Sequence, residues 1–187
     1  MENKSINIYL EANPNPNSLK FVADYMLVEP GQNYDFPDLE SAEIAPLAAE
    51  LFGYDYVQRV FYMSNFITVT KTEDKQWMEI QDELKEHIKT FLESGKPILK
   101  ESALEEKVVE TEMDVKIMGI LDEYIKPAVE QDGGAIEYRS FEDGIVKVYL
   151  QGACSGCPSA TVTLKSGIEN LLKSMIPEVK AVEAEEV

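Results

Sequence analysis

Gly-Ala-Cys-Ser-Gly-Cys-Pro, residues 152–158, holds both cysteines of the 187-residue chain, Cys154 and Cys157. The residues before it, 145–150, alternate in part between apolar and polar side chains, and this pattern predicts a strand. Pro158 favours the first turn of a helix, and the apolar residues that follow it recur at helical spacing. The two thiols are therefore predicted to lie where a strand ends and a helix begins.

This position favours negative charge on the sulfur atoms. The first N–H groups of a helix have no partner within the helix, and the helix dipole is positive at that end. A cysteine there has a lowered pKa, which favours the thiolate. Ser155 and Gly156 are small, so that a bulky ligand can approach the backbone. We expect both sulfurs near the surface, in a loop suited to an anion bound by thiolates.

Three kinds of chemistry are compatible with a single Cys-x-x-Cys motif. It can be a redox dithiol, half of a structural zinc site or half of an iron–sulfur site. Zinc and cubane clusters each usually take four protein ligands. The chain has two cysteines and one histidine, His87, which lies far from them in the sequence. A site with four thiolates therefore needs two chains, and the motif alone leaves all three chemistries open.

The residues around the motif resemble a known domain. Asp132-Gly-Gly134, Ile136-Glu-Tyr138, the stretch 152–158 and the segment 163–169 resemble the NifU-type C-terminal domain of Nfu iron–sulfur carriers. The resemblance implies that Cys154 and Cys157 bind a cluster shared between two protomers. In that family the cluster is most often 4Fe–4S, with 2Fe–2S as the alternative, and the recovered protein can lack it.

The same resemblance implies a function. It describes a carrier that forms a homodimer on cluster binding, receives its cluster from a donating scaffold and transfers it to apo iron–sulfur enzymes. Such a protein supplies ligands rather than an acid–base pair, so we predict that it is not an enzyme. The alternatives are a thiol–disulfide oxidoreductase and a zinc-bridged dimeric module. Ala153 stands where a thioredoxin-type motif usually has an aromatic residue, which disfavours the redox alternative.

The first half of the chain resembles a second known module. Asn13-Pro-Asn-Pro-Asn-Ser-Leu-Lys-Phe21, Pro46-Leu-Ala48, the strand pattern 66–71 and Gly95-Lys-Pro97 are similar to the Nfu N-terminal domain. The predicted order of elements is ββαββα, with residues 29–40 as a loop. This half contains no cysteine, so it cannot supply the thiolates. The asparagines between the prolines are interpreted as turn formers.

The sequence thus predicts an α+β protein of two small domains. Residues 1–98 form the first domain, 99–112 an acidic linker, and 113–187 a second domain of order αββαβ. Within the second domain, Pro127 is expected to kink the first helix or to start a new turn. The final strand is predicted at residues 178–182, followed by a frayed acidic tail.

The charge composition of the chain limits the kinds of partner that it can bind. The chain has 17 basic and 35 acidic residues and a net charge of −18, with acidic residues in both halves. This balance disfavours binding to nucleic acid and to anionic membrane surfaces, which both require a basic face. No apolar run approaches the roughly 20 residues of a membrane span. Because the sequence begins without an apolar or Arg-rich leader pattern, we predict a cytoplasmic location.

Overall fold

The chain consists of two compact units, residues 1–105 and 106–187. A computed structural model describes residues 6–100, 111–155 and 158–186. Each unit combines helices with its own sheet, which confirms the α+β prediction with two domains. The predicted boundaries at residues 98 and 113 stay a prediction, because most of the predicted linker, 101–110, lies outside the described residues.

The first unit is built on one antiparallel sheet of five strands in the order β1-β2-β5-β4-β3. Its helices contribute apolar side chains to a single core that also includes one face of the sheet. A short 3₁₀ segment, Ser41–Ile44, precedes the first helix. The elements are β1 (Ile8–Ala12), β2 (Ser18–Ala23), β3 (Asn33–Phe36), α1 (Pro46–Leu51), β4 (Val57–Met63), β5 (Phe66–Lys71) and α2 (Trp77–Glu93).

The hairpin β4–β5 and helix α2 follow directly from the sequence. Ser64 and Asn65, both common in turns, form the two-residue loop between the strands, and Ser64 takes the positive φ of +48° that such loops favour. In α2, Ile80, Leu84 and Ile88 recur at helical spacing and are all buried. These elements form the centre of the first unit.

The predicted order ββαββα lacked one strand. Residues 33–36, predicted as part of a loop, form β3 and pair with β4 at the edge of the sheet. Their Asn and Asp content is typical of turns, and of the four residues only Phe36 is fully buried. Pairing with β4, rather than local propensity, makes this segment a strand. The observed order is βββαββα.

The second unit has the predicted order αββαβ. Strands β6 and β7 are antiparallel, and β8 pairs in parallel with β7 after the crossover through α5. A π-helical turn, Leu121–Ile125, joins α3 to α4 directly before Pro127, so the predicted interruption of the helix is confirmed. The elements are α3 (Glu112–Ile120), α4 (Lys126–Gln131), β6 (Gly134–Glu142), β7 (Ile145–Gly152), α5 (Pro158–Met175) and β8 (Ala181–Glu186).

The C-terminal strand differs from its prediction. It covers residues 181–186 rather than 178–182, and the residues expected to fray therefore belong to the strand as far as Glu186. Val182 is buried and Glu183 and Glu185 are exposed, so that acidic side chains occupy the outer face of a paired strand. Among the described residues, no helix is long and apolar enough to cross a membrane.

Candidate functional site

The segment Gly152–Ser155 leads from β7 towards α5. Gly152 has a positive φ of +62°, which turns the chain away from the sheet. The Ala153 amide donates a hydrogen bond of 3.2 Å to the Gly133 carbonyl, and the Ser155 amide donates one of 3.1 Å to the Gly152 carbonyl. The start of the loop is therefore hydrogen-bonded to the turn between α4 and β6.

Cys154 is buried. Its residue surface is 6% exposed, and it belongs to the apolar core of the second unit together with Leu150 and Ile168. The expectation that both sulfurs lie near the surface is therefore wrong for Cys154. The cause is the turn after Gly152, which directs the Cys154 side chain back onto the core instead of out to solvent.

Gly134 leaves the space that this side chain uses. It is the first residue of β6 and pairs with Gly152 in the sheet. A Cβ atom at Gly134 would lie 2.7 Å from Cys154 Sγ and 2.6 Å from the Gln151 carbonyl oxygen. Non-bonded carbon atoms do not approach other heavy atoms this closely. A residue with a side chain therefore fits at position 134 only if neighbouring atoms shift.

The placement of Cys154 between β7 and α5 agrees with the prediction. Cys157, the second predicted ligand, lies outside the described residues, so the pairing of the two thiols stays a prediction. Helix α5 begins at Pro158 and has 18 residues, long enough for a substantial dipole at its N-terminus. Across the described ranges, no three His, Cys, Asp or Glu side chains are grouped to hold a metal ion.

His87 lies in the first unit, in an open cavity on the side of α2. Its Nδ1 is 2.9 Å from the Tyr54 hydroxyl and its Nε2 is 3.0 Å from Glu50 Oε2. The hydrogen bond from His87, together with Lys96, lowers the pKa of Glu50. The side chain of His87 is 25% exposed, so it is a half-buried histidine with polar partners on both ring nitrogens.

The asparagine–proline stretch builds a turn. Asn13 Oδ1 accepts a hydrogen bond from the Asn15 amide, and Asn15 Oδ1 accepts one from the Asn17 amide. These are the local bonds by which asparagine favours turns. Trp77 Nε1 donates to the Pro16 carbonyl at 3.0 Å while its ring packs against the core, as expected of a structural residue.

The two adjacent glycines, Gly133 and Gly134, have different roles in the structure. Gly133 ends α4 with a positive φ of +80°. The contact of Gly134 with Cys154 was missed, because the two residues are 20 positions apart and meet only through the sheet register. The sequence did contain one signal of this contact. A single glycine is enough to end a helix, so the second glycine indicated a further requirement for space.

Two family models match the chain. Residues 8–95 match the scaffold protein Nfu/NifU N-terminal domain, and residues 117–183 match the NifU-like domain. The matches cover both units and confirm the two resemblances seen in the sequence.

Several relatives are similar over nearly the whole chain. NifU-like protein 4, mitochondrial, from Arabidopsis thaliana is 43% identical, and the alignment covers 98% of this chain and 68% of the relative. The NFU1 iron-sulfur cluster scaffold homolog, mitochondrial, from Drosophila willistoni is 40% identical over 98% of this chain and 65% of its own length. The chain thus spans about two thirds of the length of these relatives.

The similarity to solved structures is lower. A NifU-like protein from Saccharomyces cerevisiae, solved by NMR, aligns with 55% of this chain and 91% of its own, with 19% identity and a TM-score of 0.46. An overlap of this size carries no argument about function.

The relatives contradict the predicted location and show to which family the chain belongs. The predicted cytoplasmic location is contradicted, because the relatives from Arabidopsis and Drosophila are all named as mitochondrial. A sequence without a visible leader pattern was therefore an unsound basis for assigning a compartment. With both domain models matched in order and relatives about 40% identical along nearly its full length, the chain belongs to the Nfu family of NifU-like proteins.

Proposed function

We propose that this protein carries an iron–sulfur cluster, bound by Cys154 and Cys157, and transfers it to apo-enzymes. The observation that carries the proposal is the position of Cys154 at the junction of β7 and α5, in the chain's one Cys-x-x-Cys motif. Family membership supports it, because relatives of this chain are named iron-sulfur cluster scaffolds. The cluster is the cargo of the protein rather than a resident cofactor.

The ligand count requires a second copy of the chain. Each protomer has two cysteines, and a cubane cluster usually takes four thiolates. Two protomers thus hold one 4Fe–4S cluster between them, with a 2Fe–2S cluster as the alternative that the same four thiolates allow. We therefore propose a homodimer that forms when the cluster is bound.

The surroundings of Cys154 favour a bound anion. A cubane cluster with four thiolates has a negative net charge, and the N-terminus of α5 presents unpaired amides and the positive end of a dipole. In the described structure Cys154 is buried, so cluster binding requires its side chain to turn away from the apolar core. Loading is then coupled to a rearrangement of the loop that follows Gly152.

A site divided between two protomers also explains release. Separation of the protomers removes half the ligands in one step, and an acceptor with four thiolates of its own then binds the cluster more firmly. The cluster would come from a donating scaffold and go to apo iron–sulfur enzymes. Because the cysteines act as ligands and the proposal needs no acid–base group, we propose that the protein is not an enzyme.

The test is reconstitution of the full-length protein with iron and sulfide under anaerobic conditions. We expect the visible absorption of an iron–sulfur centre, about two iron atoms per chain, and a dimer by size-exclusion chromatography. Cys154→Ser and Cys157→Ser should each abolish stable cluster binding, because serine is a poor ligand for these soft centres. Ser166→Ala, on an exposed part of α5, is the matched control.

Each alternative gives a different result. Zinc recovered in place of iron, with no visible absorption, would support the zinc-bridged dimer. Reduction of a model disulfide by a monomer without metal would support the oxidoreductase. A monomer that holds a complete cluster, or a Cys157→Ser protein that activates an apo-enzyme such as aconitase at the wild-type rate, would contradict the shared site.

A further inference from the structure

The approach of Gly134 to Cys154 sets the position of the sulfur. The register pairs Gly134 with Gly152 and so brings the start of β6 beside the end of β7. A Cβ atom on Gly134 would lie 2.7 Å from Cys154 Sγ and 3.1 Å from the Cys154 amide nitrogen. Gly134 is not among the residues with positive φ, so an alanine could adopt its backbone conformation. What the position requires is space beside the sulfur.

Two further features fix the loop and the side chain of Cys154. The Ala153 amide is bonded to the Gly133 carbonyl, and Leu150 and Ile168 belong to the same apolar cluster as Cys154. The loop cannot move away from Gly134 without the loss of the Ala153 bond. An added methyl group would meet the Gln151 carbonyl oxygen at 2.6 Å and Cys154 Sγ at 2.7 Å, and of these two atoms the sulfur is the one that can move by side-chain rotation.

We propose that Gly134 is a positioning residue for the Cys154 thiol, an inference that rests on the proposed function of Cys154 as a cluster ligand. The absence of a side chain at Gly134 lets the sulfur lie buried before the cluster binds and defines the place to which it returns after transfer. With an alanine at this position, the sulfur loses its buried place and is displaced towards solvent even without a cluster.

A matched control lies at the other end of the same hairpin. Gly144, in the turn between β6 and β7, has a φ of +87°, and a Cβ atom there would lie 2.8 Å from the Lys180 side chain and 2.9 Å from the Glu178 carbonyl. Gly144→Ala therefore strains the same two strands without contact to Cys154. It separates a general loss of stability from an effect on the thiol.

The first measurement needs no cluster. In a Cys157→Ser background Cys154 is the only thiol, and its alkylation by iodoacetamide can be followed by mass spectrometry. We expect Gly134→Ala to accelerate alkylation about tenfold, a scale set by the cost of overpacking. Gly144→Ala should leave the rate within about twofold of the parent. An unchanged rate in a folded Gly134→Ala protein overturns the proposal.

The parent variant provides a test that does not depend on the folding of Gly134→Ala. If Cys154 of the folded Cys157→Ser protein reacts as fast as in urea, the sulfur does not lie against Gly134 and the proposal is wrong. Slow alkylation that becomes fast only in urea supports it.

The second measurement concerns the cluster. With both cysteines present, Gly134→Ala should lose bound iron more slowly than wild type during gel filtration, because its sulfur has no buried place to which it can return, and Gly144→Ala should lose iron at the wild-type rate. Iron loss from Gly134→Ala as fast as from wild type, or faster, overturns the positioning role. If wild type binds no iron, the proposed function fails, while the alkylation rates still decide where the thiol lies.

Discussion

The two units bury reactive or charged groups in different ways. The first contains buried cations held by local partners: Lys71, only 4% exposed, lies 3.3 Å from Asn17 Oδ1 and 3.2 Å from the Thr72 carbonyl. The second buries a thiol, Cys154, against a glycine and an apolar cluster. A buried cation with fixed polar partners contributes to structure, whereas the proposed function requires the Cys154 side chain to turn outward.

The ion pair Arg59–Asp35 shows the same principle in the first unit. Two parallel hydrogen bonds of 2.9 Å join the guanidinium to the carboxylate, and the two side chains are 12% and 3% exposed. Such an arrangement is costly to break. The polar groups of the first unit therefore contribute to stability, and cluster binding is proposed for the second.

The largest effect is expected when the units are separated. A fragment of residues 106–187 should fold and bind a cluster with about two irons per chain, because it contains both cysteines. A fragment of residues 1–105 should fold and bind none. Iron analysis and circular dichroism of the reconstituted fragments provide the measurement. If 106–187 folds but binds no iron, the first unit contributes to the site and the comparison fails.

The second effect concerns the ion pair of the first unit. Arg59→Met should lower the free energy of unfolding of this unit by about 3 kcal/mol, because it leaves the Asp35 carboxylate buried beside an apolar side chain. Trp77 is the only tryptophan of the chain, so its fluorescence during urea unfolding reports on this unit alone.

Arg59→Met/Asp35→Leu is the matched control, since removal of both charges should restore much of the loss. Cluster binding should be unchanged in both variants. A double variant as unstable as the single one would show that packing of the arginine stem, rather than its charge, is what matters.

The third effect is smaller and depends on pH. Asp114 accepts hydrogen bonds from the Tyr138 hydroxyl and, at 2.7 Å, from the amide and hydroxyl of Thr111 at the start of α3. The bond from Tyr138, followed by those from Thr111, lowers the pKa of Asp114. The carboxylate therefore stabilises the folded state above its unfolded pKa of about 4, and this contribution is lost as the pH falls through the lower folded value.

Asp114→Asn should thus destabilise the second unit at pH 7 by about 0.5–1 kcal/mol, the range of a helix cap. The difference from wild type should shrink as the pH falls below about 4. Urea unfolding of the 106–187 fragment, followed by circular dichroism at pH 7 and pH 3, measures it. Glu112→Gln, two residues earlier in the same first turn, is the control, and an equal loss at both pH values would contradict the assignment to charge.

Much of this fold could be read from the sequence, and the exceptions have a physical cause. The hairpin 57–71 and helix α2 are encoded locally, by a two-residue turn and by an apolar stripe. Strand β3 and the limits of β8 are set by their partners, β4 and β7, so their own residues do not reveal them. Strand assignment at the edge of a sheet depends on context more than on propensity.

The candidate site shows the same division. The position of Cys154 between a strand and a helix follows from local patterns, and the sequence predicted it. Its burial depends on the contact with Gly134, which is made through the register of β6 and β7. No spacing rule for helices or strands relates two residues across a hairpin of this length.

The smallest expected effect on stability concerns two glutamates, one in each unit, that accept the same kind of hydrogen bond. Glu93 in α2 accepts a hydrogen bond from the Ile6 amide, and Glu169 in α5 accepts one of 3.0 Å from the Val182 amide of β8. Each also pairs with a lysine one turn away: Glu169 with Lys173 at 2.5 Å, and Glu93 with Lys89 at 4.0 Å. The geometry is closer in α5, and a glutamate that precedes its lysine is the better order in a helix.

Lys173→Ala should therefore shift the urea midpoint of the second unit slightly, and Lys89→Ala should shift that of the first unit even less, since exposed ion pairs contribute little. Glu169→Gln keeps a side-chain oxygen for the Val182 amide and should resemble Lys173→Ala. Glu169→Ala removes that acceptor and should cost more than either, because the amide of a buried residue loses its partner. If Glu169→Ala and Lys173→Ala had equal midpoints, the hydrogen bond to β8 would contribute nothing, and the glutamate would act through its charge alone.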